Sequence, residues 1–170
     1  MLKRTLFLLL IAALGVAKPA MGASASATMT VTATVISTCT ITSGNLSFGN
    51  YDAIGTNATA PLNGTAAITA TCTQGAAATV DIDQGLNSSG AGNSMQRRMK
   101  GTGTNYLSYS IFQDSAHSKP WGTKTSGTTV SVTGAGGTTP VSLTAYGSVP
   151  GAQNVATGTY TDSVAVTINY

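Results

Sequence analysis

Three residue types of a hydrolytic triad stand together at Asp114-Ser115-Ala116-His117. A nucleophile, a base and an orienting acid must face one another from separate elements, so adjacency along one loop does not make a triad. His117 is the single histidine of the chain and lies in a polar stretch, where it reads as an exposed loop residue. Asp81 and Asp83 share one strand face, and paired carboxylates can serve glycoside hydrolysis. Their alternation with Val80 and Ile82 reads instead as a solvated face beside a buried one. Calcium held by the same pair lacks the Asp-x-Asp-x-Asp-Gly loop of such sites. Arg97, Arg98 and Lys100 form a small basic cluster without interleaved aromatics and read as ordinary surface charge. Gly90-Ala-Gly92 and Gly134-Ala-Gly-Gly137 precede no helical pattern, so they read as turns and not as phosphate cradles. Two cysteines and one histidine are too few for a zinc site. The expectation is no catalytic residue, no metal and no cofactor: not an enzyme.

The elements around these residues define the class. Lys3-Arg4, the apolar run 6–17 and the small-x-small triplet Ala23-Ser24-Ala25 have the order of a cleaved export signal. Residues 1–25 are therefore expected to be a signal peptide, and the protein to be exported. Removing Lys3, Arg4 and Lys18 from eight basic residues leaves five, against five aspartates and no glutamate. The net charge of +3 is thus a property of the leader, and the neutral remainder carries no footprint for nucleic acid. In an oxidising compartment the two cysteines, Cys39 and Cys72, are expected to pair. Closing that loop is worth about 3–4 kcal/mol on the chain-entropy model.

No long segment holds a helical apolar period, while short β-patterned runs alternate with Gly, Asn and Pro. The fold class is all-β, read as a sandwich. Strands are expected at 46–51, 66–73, 79–83, 95–100, 106–112, 128–133 and 141–149, with a loop over 52–64 ending in an Asn63-Gly64 turn. At the carboxyl end, Tyr160, Asp162, Val164, Val166, Ile168 and Tyr170 alternate with small polar residues, the pattern of a two-faced strand. At the amino end, threonines at 28, 30, 32 and 34 alternate with Met29, Val31, Ala33 and Val35, a second such strand over 28–36. From pattern alone both are ordinary strands of a closed sandwich. The sharper reading is that the first completes another molecule's sheet along an exposed edge.

The order of motifs carries a resemblance. Cys39 is followed by Leu46-x-Phe48-Gly49-x-Tyr51, Ile68-x-x-x-Cys72-x-x-Gly75, Val80-x-Ile82-x-x-Gly85 and Arg98-Met99. Leu107-x-Tyr109-x-Ile111-Phe112-x-Asp114 leads to Trp121-Gly122, and Gly158-x-Tyr160-x-Asp162 opens the last strand. This pattern resembles the spore coat protein U (SCPU) domain family, subunits of archaic chaperone–usher pili. The resemblance covers nearly all of the chain after the leader.

It implies an incomplete immunoglobulin-like β-sandwich, with a donor segment at 26–38 and the pilin domain at 39–170. Met29, Val31, Ala33 and Val35 would fill a neighbouring subunit's groove, Ala33 gripping least. The strand bearing Tyr160, Val164, Val166, Ile168 and Tyr170 would border the acceptor groove, and Tyr170 would offer its carboxylate to a chaperone. The partners implied are a periplasmic chaperone, an outer-membrane usher and other pilin subunits, with no nucleic acid and no small-molecule substrate. The site implied is the periplasm in transit and then the cell surface, in a pilus supporting adhesion or biofilm formation. One domain after the leader implies a shaft or minor structural subunit. Two other readings stay open: a secreted coat or binding protein with a closed sandwich, and a hydrolase using Asp114 or His117.

Overall fold

The computed structural model describes residues 21–90 and 96–170. The leader expected at 1–25 falls largely outside them, as do Gly92 of the first glycine-rich turn and the start of the 95–100 strand. The chain divides into units 1–34 and 35–170. In the first, residues 21–34 carry no helix or strand. The strand expected over 28–36 is therefore absent, and among the described residues strand structure first appears at Cys39. An isolated strand has no ladder partner for its N–H and C=O groups, so alternation alone does not make one.

In the second unit, period-two patterns become eight strands among the described residues: β1 (Cys39–Ser43), β2 (Leu62–Cys72), β3 (Ala77–Ile82), β4 (Arg97–Lys100), β5 (Tyr106–Phe112), β6 (Val130–Thr133), β7 (Val141–Val149) and β8 (Val166–Asn169). Five form one sheet in the order β1-β2-β7-β5-β4, and three form the other, β6-β3-β8. Every pairing between these strands is antiparallel. The inward residues meet between the sheets. Ile68 and Ala70 of β2, Val80 and Ile82 of β3, Leu107, Tyr109 and Ile111 of β5, and Ala145 and Val149 of β7 are all buried. Trp121, from the long loop after β5, is 1% exposed and donates its indole N–H to the Val80 carbonyl at 2.9 Å. That bond satisfies the one polar group of the largest core side chain.

Two expectations are corrected here. Asn63-Gly64 is no turn; it lies within β2, opposite Ser148 and Gly147 of β7. Residues 46–51 form no strand but an irregular run laid over this part of the sheet. The two glycines make room for it. A Cβ at Gly147 would stand 2.8 Å from Leu46 and Phe48, and one at Gly64 would stand 2.7 Å from the Ser47 carbonyl. The side-chain-free pair thus serves close approach and not a reversal of the chain. Cys39 and Cys72 face each other across the β1–β2 ladder and form the disulfide, with an S–S distance of 2.06 Å.

Candidate functional site: a groove between two strand edges

Among the described residues β1 pairs only with β2 and β8 only with β3, so each is the edge of its sheet. The two edges approach one another on the same side of the sandwich. Between them opens a groove of about 520 Å³. Its floor is the core itself: Ala66, Ile68, Tyr109, Ile111 and Ala145 from the larger sheet, and Ile82 from the smaller. One wall is the run 43–48, with Leu46 and Phe48 directed inward; the other is the run 160–166. Met99 of β4 also lines it. A sandwich whose interior side chains line an open slot lacks a strand's worth of cover.

Of the residues expected at a groove edge, Tyr160, Val164 and Val166 line this slot. Tyr160 is held by its hydroxyl, which donates to the Ala156 carbonyl at 2.8 Å. Ile168, opposite Val80, packs against the core beyond the groove lining. Tyr170 is 60% exposed at the end of the chain. The terminal strand is shorter than expected, starting at Val166, because 158–165 serves both sheets in turn. Thr161 pairs with Lys100 of β4, whereas the Ser163 and Ala165 carbonyls accept from Leu86 and Asp83 N–H groups beyond β3. On the amino side Met29, Val31 and Val35 are 83–84% exposed, and Ala33 is exposed as well.

A polar network fixes the wall at 160–166. Asp162 accepts from the Tyr109 hydroxyl at 2.8 Å, from the Leu86 and Asn87 N–H groups at 3.1 and 3.2 Å, and from the Asn87 side-chain amide at 2.9 Å. One carboxylate therefore ties the final segment to the turn after β3 and to the middle of β5. Burial, and then the bond to Asp162, push the Tyr109 phenol far above its ordinary range.

Arg97, expected as surface charge, is buried. Its guanidinium donates to the carbonyls of Asp83, Ile82 and Trp121 at 2.7, 2.9 and 2.9 Å. Burial draws its pKa down, opposed by Tyr109, Asp83 and Asp162 nearby. Arg98 points the other way, its guanidinium 4.1 Å from the centre of the Tyr106 ring. The neighbours on one strand take opposite faces.

The chemistry-bearing residues are not assembled for catalysis. The Asp114 carboxylate holds its own turn, accepting from the Ser118 hydroxyl and the Ser118 and Lys119 N–H groups; these bonds, the Ser118 hydroxyl foremost, lower its pKa. His117 is half-buried, not exposed as expected, its ring edge-on to Phe112 at 5.1 Å and to Tyr146 at 6.4 Å. No side-chain hydrogen bond joins Asp114, Ser115 and His117 among the described residues. Asp81 and Asp83 are half-buried braces, unlike the solvated pair expected. Asp83 accepts from Gly85 and Ala165 N–H groups, both at 2.9 Å; Asp81 accepts from the Lys124 N–H and the Asn169 amide. Among the described residues no group of three or more His, Cys, Asp or Glu could hold a metal ion.

An all-β sandwich left open along one side, with core residues lining the gap, is the incomplete immunoglobulin-like architecture of pilin-type subunits. The chain belongs to the Spore Coat Protein U domain family, whose model matches residues 25–167. It is similar to Protein U of Myxococcus xanthus, 38% identical over 161 residues that cover 89% of this chain and 88% of that protein. Among solved structures it is similar to a chain of the CsuC-CsuE chaperone-tip adhesion subunit pre-assembly complex from the archaic chaperone-usher Csu pili of Acinetobacter baumannii. The TM-score there is 0.54 and the identity 25%, covering 81% of this chain and 41% of the solved one.

Proposed function

We propose that this protein is a structural subunit of an archaic chaperone–usher pilus, polymerising by donor-strand exchange. Within the donor segment 26–38, the alternating run 28–35 of one copy enters the groove of the next as the missing strand. The observation that carries this reading is the fit of two unfinished parts. The groove offers two free strand edges over an apolar floor, and the N-terminal run offers an alternating strand sequence with no ladder of its own. Full burial of Met29, Val31 and Val35 would contribute about 1.5–3 kcal/mol each. Ordering the segment costs about 1–2 kcal/mol per residue, offset in part by new backbone hydrogen bonds to both edges. Ala33 adds little, so the grip rests on the other three.

Before assembly, exposed core needs cover. A periplasmic chaperone would provide it by lending a strand to the groove and engaging the carboxylate of Tyr170, and an outer-membrane usher would catalyse the exchange. Export, passage through the periplasm and display on the cell surface, in adhesion or biofilm formation, follow from this role. The role is structural and calls for no enzymatic activity or cofactor.

The test is assembly of the wild-type protein and of Val31→Asp, each released from a co-expressed chaperone. The wild type is expected to form polymers visible as a ladder in unheated gels. A charge at position 31 should leave the fold intact and stop elongation. A wild-type protein that stays a stable soluble monomer after release would refute the proposal.

A further inference from the structure

Just before β1 the chain is held in an unusual way. The Thr73 hydroxyl donates to the Ile36 carbonyl at 3.2 Å and accepts from the Thr38 N–H at 3.1 Å, while the Thr73 N–H donates to the Thr38 carbonyl at 3.0 Å. One side chain thus grips a three-residue segment at both ends. Directly behind it the Cys39–Cys72 disulfide joins the first residue of β1 to the last of β2, with Cα atoms 4.1 Å apart. Residues 36–38 are therefore fixed to the rim of the larger sheet although they carry no strand and Ile36 is 72% exposed. Val35, the last apolar position of the alternating run, is one residue away from the gripped Ile36 carbonyl.

We infer that Thr73 is a positioning residue for the joint between successive copies of this chain, an inference that rests on the donor-strand reading above. If Val35 is seated in the neighbour's groove and Ile36 is already held by its own domain, no free linker remains between the two domains. Three residues span about 10 Å at most, and even that slack is taken up by the grip. The joint is then a splint and not a swivel, and its direction is set by Thr73 and the disulfide behind it. The consequence is a filament whose bending is restrained at each joint by one half-buried residue, Thr73, with the disulfide behind it. A side chain that merely stabilised the domain would change its melting without changing the joint.

The experiment compares polymers of wild type, Thr73→Val and Thr73→Ser, with amide exchange of Thr38 as a second readout. Thr73→Val keeps the branched shape and removes the hydroxyl; Thr73→Ser keeps the hydroxyl. In Thr73→Val, Thr38 exchange is expected to quicken about fivefold, the loss of one ordinary hydrogen bond. The angle between successive domains in electron micrographs should scatter at least twice as widely, and Thr73→Ser should restore both. Polymers of Thr73→Val with wild-type angles, or a Thr38 amide that exchanges equally fast in all three proteins, would overturn the inference. So would the absence of polymers from all three; in that case the donor-strand reading fails as well, and failure in the wild type itself identifies the cause.

Discussion

Asp162 ties the groove wall to the turn after β3 and to β5, and the consequences of removing its carboxylate follow from its bonds. In Asp162→Ala the buried Tyr109 hydroxyl and the Asn87 N–H lose their partner, whereas the Leu86 N–H keeps a second acceptor in the Ser163 carbonyl at 3.1 Å. A hydrogen bond to a charged group contributes about 1.5–3 kcal/mol, and a buried donor left without an acceptor costs about 1–3 kcal/mol. Asp162→Ala should therefore destabilise the domain by about 3–5 kcal/mol. Tyr109→Phe removes the hydroxyl with its bond and leaves no orphan on that side, at a cost of about 1–2 kcal/mol. The double variant should cost less than the sum by about 1–2 kcal/mol, since the shared bond is lost once. Guanidinium unfolding of the chaperone-free protein, its groove filled by a synthetic peptide of residues 26–38, measures all three. A cost below about 1 kcal/mol for Asp162→Ala, or strict additivity with Tyr109→Phe, would refute the reasoning.

Burial and the Asp162 bond hold the folded Tyr109 phenol above its ordinary value, so the folded state keeps that proton longer than the unfolded chain does. The contribution is whole below about pH 10 and is lost as pH rises beyond it; alkaline unfolding followed by circular dichroism should start earlier for wild type than for Tyr109→Phe, after allowance for their difference at pH 7. Replacing Cys39 and Cys72 by alanine opens the closed loop of sequence separation 33 and should lower stability by about 3–4 kcal/mol, read from the denaturant midpoint. Gly147→Val places side-chain atoms where Leu46 and Phe48 now lie; it should cost about 1–3 kcal/mol and weaken binding of the 26–38 peptide at least tenfold by fluorescence titration. Arg97→Met leaves three carbonyls without their shared donor and should cost about 3–5 kcal/mol, whereas Arg98→Met, losing a partly buried bond to the Asn87 carbonyl and the Tyr106 ring contact, should cost less, about 1–2 kcal/mol.

The strands are legible where inward positions are apolar and alternate without interruption. Tyr106–Phe112 and Val141–Val149 stand where alternation places them, since Leu107, Tyr109 and Ile111 or Ala145 and Val149 all face one core. Reading failed where local residue types mean one thing in isolation and another in contact. Asn63-Gly64 has the signature of a hairpin turn, yet its glycine answers the packing of 46–48 from a distant part of the chain. Arg97 looks like surface charge because its acceptors are three backbone carbonyls, which no side-chain pattern reveals. A signal did exist: two consecutive arginines on a strand point to opposite faces, so one of them had to point inward. His117 lies in a loop as expected but is half-buried and not exposed, which no local pattern reveals because its aromatic neighbours, Phe112 and Tyr146, are separated from each other in sequence. The groove floor escaped notice for a related reason. Ile68, Ile82, Tyr109 and Ile111 read as core, and core and groove floor differ only in whether the cover is present.

The segment proposed to supply this cover, residues 26–38, can be watched directly through its backbone. The decisive measurement is residue-resolved amide exchange of the protein as a chaperone-released monomer and as a polymer. Strand donation predicts that amides of 28–35 become protected on assembly at least a hundredfold, together with outward-facing amides along 39–45 and 160–169. Polymers in which 28–35 exchange as fast as in the monomer, with the edges of β1 and β8 unchanged, would contradict it.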